Sequence, residues 1–114
     1  MSVVHLPNTT STDQIHEVLL RDGALIIDDL ADVDLIHRIT SEMRPYIDAT
    51  PPGSDEFSGR NTRRTGALVA RSPASHELIQ HPMILDVTAR LLDRAQSYQL
   101  HLTQVISIGP DSPG

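Results

Sequence analysis

Six histidines are the side chains in this sequence best suited to hold a metal or move a proton near neutral pH: His5, His16, His37, His76, His81 and His101. They are scattered along the chain. None belongs to an HxD, HxE or HExxH pattern, and the absence of cysteine removes any Cys/His cluster. His16, His37 and His76 fall among polar neighbours on expected helices and read as solvated. His81 precedes a proline and reads as a helix-entry residue. His101 alone stands on the polar side of an alternating stretch, where it could face a cavity. A ligand would need partners that the spacing does not supply, so an ordinary hydrogen-bonded histidine is the plainer account. No metal ligand and no catalytic residue is assigned.

Two further groups could bind rather than react. Gln104 interrupts an otherwise apolar series, and a buried amide without partners costs about 1–3 kcal/mol. It must be bonded either to neighbouring backbone or to a bound carboxylate. Arg60, Arg63, Arg64 and Arg71 crowd into one short segment beside a proline- and glycine-rich stretch. Forked guanidiniums suit carboxylate and phosphate, although a charge run balanced by Asp55 and Glu56 is also what a solvated rim looks like. No phosphate-cradling glycine loop, nucleophile elbow, paired-carboxylate motif or Ser/His/Asp spacing is present.

These residues need elements to place them. Tyr98 to Gly109 alternates, with Tyr98, Leu100, Leu102, Gln104, Ile106 and Ile108 on one side and Gln99, His101, Thr103, Val105 and Ser107 on the other. That period predicts a strand of about 40 Å, its greasy face against helices and its polar face inward, ended by Gly109-Pro110. Upstream, Ser11 and Gln14 stand at capping-box spacing before a helix over 12–21 closed by Gly23. A short strand follows over 24–27. A helix opens at Asp32, with Val33, Ile36, Ile39 and Met43 as its stripe, and Pro45 predicts its end near Arg44. Residues 49–62 read as a long loop, and 64–71 as a strand weakened by Gly66. Ser72-Pro73 and His81-Pro82 each open a helix, the second with Ile84, Leu85, Val87, Leu91 and Leu92 inward. The order predicts one α+β domain over residues 1–114, with helices on one face of a mainly antiparallel sheet.

Composition narrows the function classes. A formal charge of −6 argues against nucleic acid or an anionic membrane as partner. No apolar run approaches the length of a membrane span. The lack of cysteine, with no basic and apolar leader at the N-terminus, predicts a cytoplasmic protein.

Taken in order, Asp22 to Asp29, the Asp32–Pro45 helix, Arg63 to Leu68, His81-Pro82 before a leucine-rich helix, and Leu100 to Pro110 resemble the N-terminal third of phytanoyl-CoA dioxygenase family proteins. The resemblance implies the N-terminal helices and first strands of a double-stranded β-helix, a cupin-like jelly roll. It also implies iron(II) and 2-oxoglutarate as cofactors of a whole protein that hydroxylates a small organic substrate. Gln104, with Thr103 beside it, would lie on the 2-oxoglutarate side, and Arg63 and Arg64 on the substrate side. The family's HxD…H ligand set is missing from these 114 residues. The chain is therefore expected to be a truncated barrel, inactive by itself. The alternative is a non-catalytic α+β module that binds an anionic ligand or a protein partner through Arg60–Arg71.

Overall fold

The computed structural model describes residues 2–54 and 59–110. They form an α+β chain with two compact units: the residues up to Val33 with Glu77–Tyr98, and Asp34–His76 with the residues from Gln99 onward. Asp55, Glu56 and Phe57 of the expected loop lie outside the described residues.

In the first unit β1 (Val4–Pro7) pairs with β2 (Leu25–Asp28) in parallel, Val4 opposite Leu25 and Pro7 opposite Asp28. Parallel neighbours need a crossover, and α1 (Thr12–Asp22) provides it. The caps of α1 are the ones its sequence predicts. Ser11 Oγ accepts from Gln14 N at 3.2 Å, and Gly23, at φ 80°, donates its N–H to the Leu19 carbonyl. At the same end, hydrogen bonds from Arg21 hold the Asp22 carboxyl below its ordinary range. Leu6, Ile15 and Val18 form the core, covered by Val4, Leu19, Leu25 and Ile27 and by Met83 and Val87 of α5 (Pro82–Leu91). α5 opens as predicted, His81 Nδ1 accepting from Met83 N at 3.2 Å with Pro82 in its first turn. Its inward face is narrower than expected. Ile84, Leu85, Leu91 and Leu92 are exposed, because within this unit α5 packs mainly on α1. An Asp13–Arg90 ion pair and a Thr12–Asp86 hydrogen bond of 3.3 Å join the two helices.

In the second unit α2 (Val33–Ala49) runs through Pro45 and does not end at Arg44. Proline removes one helical donor, but Met43 and Ile47 on either side are both buried and anchor the helix across the gap. Its inward stripe is Leu35, Met43 and Ile47, while Val33 and Ile36 are exposed. β3 (Thr62–Gly66) and β4 (Gln104–Ile108) are antiparallel, Thr62 facing Ile108 and Gly66 facing Gln104. The described sheets are thus one parallel and one antiparallel pair, not one mainly antiparallel sheet.

Two strand expectations are corrected. The 64–71 strand stops at Gly66, because Ala67 adopts φ 57°, a left-handed turn from which α3 (Leu68–Arg71) starts as a helix. The Tyr98–Gly109 strand is regular only over Gln104–Ile108. Alternation makes a strand possible, but a ladder makes it real, and β3 offers partners only to that length. The short α4 (Ser75–Ile79) follows Ser72, whose Oγ accepts from Ser75 N at 3.2 Å.

Candidate functional site

The β3–β4 register decides where the binding residues point. Successive strand residues face opposite sides, so Arg63 and Arg64 cannot serve one site together. Arg63 lies opposite Ser107, and Thr65 opposite Val105; this face looks toward α2 and the residues just after it. Arg63 Nη1 reaches the Ile47 carbonyl at 3.5 Å, and Thr65 Oγ1 donates to Thr50 Oγ1 at 2.9 Å. Arg64 lies opposite Ile106 on the other face, with Gly66 and Gln104 next along it. Ile106 and Ile108, on the face expected to pack on helices, are exposed, whereas Thr65 on the more polar face is buried.

On the Arg63 side is a cavity of about 460 Å³. α2 contributes Arg44, Ile47 and Asp48, which share a helix face because the helix continues past Pro45. Pro52, Arg60 and Asn61 come from the segments before β3. Arg63 and Ser107 come from the β3–β4 pair, and Gly109 and Pro110 from the residues just after β4. Backbone hydrogen bonds fix these walls. Gly53 N donates to the carbonyls of Gly59 at 3.1 Å and Thr62 at 3.0 Å, and Gly109 N donates to Asn61 O at 2.8 Å. A Cβ on Gly109 would stand 3.0 Å from Asn61 Cβ, so the close approach of these two segments favours glycine there.

The remaining sequence candidates lie elsewhere. Gln104 is half-buried at the Gly66 end of the β3–β4 pair, away from the Gly109 end that borders the cavity. Thr103 Oγ1 accepts from Val69 N at 3.3 Å. Arg71 is outside the cavity, its guanidinium 4.6 Å from the centre of the Tyr46 ring. His101 is exposed ahead of β4. The sequence reading missed Arg44 and Ser107 as lining residues. The Arg44–Asp48 spacing was the available signal, and an early helix end at Pro45 hid it. A second, apolar cleft of about 340 Å³ lies in the first unit, among Ile15, Leu19, Leu25, Ile27, Met83 and Val87.

No family model matches the chain. Curated relatives do match it. It is 28% identical over 123 aligned positions to dioxygenase FrzG of a Cladobotryum species, covering 94% of this chain and 40% of that protein. The chain is thus similar in sequence to a protein named a dioxygenase. It is also 31% identical to dioxygenase swnH1 of Metarhizium robertsii, over 82% of this chain and 32% of that protein. To dioxygenase swnH2 of Arthroderma benhamiae it is 28% identical, over 80% of this chain and 30% of that protein. The chain therefore spans between 30% and 40% of the length of these relatives. No described helix is long and apolar enough to cross a membrane.

Proposed function

We propose that the chain is the front part of an iron(II)- and 2-oxoglutarate-dependent dioxygenase that hydroxylates a small organic molecule. In this reading it supplies outer helices and the opening strands of a jelly roll. The carrying observation is the alignment with proteins named dioxygenase over most of this chain and a minor part of each relative. The β3–β4 pair supports the reading. Among the described residues β4 pairs on one flank only, with β3, and carries exposed Ile106 and Ile108 such as an adjoining layer would cover.

The described residues do not fit an iron centre: no three of their His, Asp and Glu side chains come together as ligands. No His in the sequence is followed two places on by Asp or Glu. The metal ligands are therefore assigned to the rest of the whole protein, and no reaction step is derived from this chain. Within the reading, Gln104 and Thr103 contribute to the 2-oxoglutarate side. Arg63, facing the cavity, is the better placed of the two substrate-side arginines. The partner is a small molecule rather than nucleic acid or membrane, and the compartment is the cytoplasm.

The test is an assay of succinate formation from 2-oxoglutarate with iron(II). These 114 residues should give no turnover, and the coding sequence beyond Gly114 should soon encode HxD, with a further His and Arg later. Succinate formed by the chain alone, or a reading frame without those ligands, overturns the proposal.

A further inference from the structure

The chain carries a net charge of −6, yet three of its cations converge on one cavity. Arg44 arrives on α2, Arg60 ahead of β3, and Arg63 on β3 itself. Among the described lining residues Asp48 is the one carboxylate, which leaves those residues a formal surplus of two positive charges. Among the described residues none of the three guanidiniums is in an ion pair. Ile47, Pro52 and Pro110 form apolar parts of the wall, and low-dielectric walls around charge of one sign strengthen attraction for the opposite sign. The Ser107 hydroxyl, directly across the ladder from Arg63, adds a neutral donor. The segments bearing these groups are pinned by the Gly53 and Gly109 amides, so part of the cost of ordering a site is met before a ligand arrives.

A solvated basic rim would spread its arginines over the surface. Here the arrangement is selective. The register puts Arg63 and Arg64 on opposite faces; Arg63 lines the cavity with Arg44 and Arg60, and Arg71 lies against Tyr46.

We propose that this cavity is a binding site for a small molecule bearing a phosphate or carboxylate group, held by the Arg44, Arg60 and Arg63 guanidiniums with Ser107 as an additional donor. A cavity of about 460 Å³ is within the range of small-molecule sites, with room for an organic portion against Ile47 and the prolines. The inference is independent of the oxygenase reading and survives its failure.

The test is calorimetric titration of the 114-residue chain at low ionic strength with two probes, inorganic phosphate and succinate. Saturable binding of either supports the site, and the tighter probe gives the ligand class. Arg63→Gln and Arg60→Gln should each weaken that probe about tenfold, as expected for losing hydrogen bonds to a charged group. Arg60 is exposed ahead of β3, so its variant guards against a folding failure at Arg63. Asp48→Asn should tighten binding severalfold by removing the opposing charge, an effect no purely structural role would give. Arg64→Gln, on the opposite strand face, should change affinity less than twofold. Absence of saturable binding by both probes overturns the proposal. So does an Arg64→Gln loss as large as that of Arg63→Gln, or weaker binding in Asp48→Asn.

Discussion

Ser72 is completely buried, and its hydroxyl serves two elements at once. It donates to Glu42 Oε2 at 2.5 Å and accepts from Ser75 N at 3.2 Å, while the same Glu42 oxygen accepts from Ala74 N at 3.1 Å. A half-buried carboxylate of α2 thereby ties down the start of α4. Ser72→Ala should lower unfolding stability by about 1–3 kcal/mol, read as a reduced urea midpoint at unchanged slope, because it leaves a helix start uncapped and a carboxylate short of a donor. Half of this was legible in the sequence, where Ser72-Pro73 announces a helix start. Its partner Glu42 was not, since no local pattern joins residues so far apart in the chain. The arginines show the same division. Their clustering is visible in the sequence, but which of them share a site depends on strand register, and register is set by pairing with residues some forty positions away.

At the scale of elements, caps were readable and lengths were not. Ser11, Gly23 and His81-Pro82 act through neighbours within a turn, so their effect follows from local chemistry. The ends of α2, β3 and β4 depend on tertiary support: burial of Met43 and Ile47 carries α2 past Pro45, and the length of β3 limits β4. Ala67 is the least legible residue, a left-handed alanine with no sequence signal. A contrast follows between two left-handed positions. Gly23→Ala meets no atom within 4 Å of the added Cβ, so it should cost only the backbone penalty of about 1 kcal/mol. Ala67→Gly relieves the same kind of penalty and should be neutral to stabilising by about 0.5 kcal/mol, after the added freedom of the unfolded chain is subtracted. Thermal melts should therefore show a lowered midpoint for Gly23→Ala and no loss for Ala67→Gly.

Over the whole molecule, apolar surface is the outstanding quantity. Tyr98, Leu100, Leu102, Ile106 and Ile108 are all exposed, Ile108 at 65%, and Ile106 and Ile108 share the outer face of the β3–β4 pair. The alternation in the sequence marked these residues as one side of a strand, expected to pack on helices, whereas Ile106 and Ile108 face outward. A solvent-facing apolar strip beside a strand edge promotes association. The 114-residue chain should show a sedimentation coefficient that rises with concentration. Ile108→Lys should return it to monomer behaviour without lowering the melting temperature. A strictly monomeric wild-type chain would mean that this surface needs no cover. The route of the backbone has its own result. The polypeptide builds the first unit as far as Val33, leaves it to lay down Asp34–His76, comes back for Glu77–Tyr98, and only then supplies β4. During synthesis α1 and the β1–β2 pair must therefore wait on the ribosome for α5, and β3 for β4. At about 5–20 residues per second, several seconds pass with both half-built cores open to chaperones and proteases.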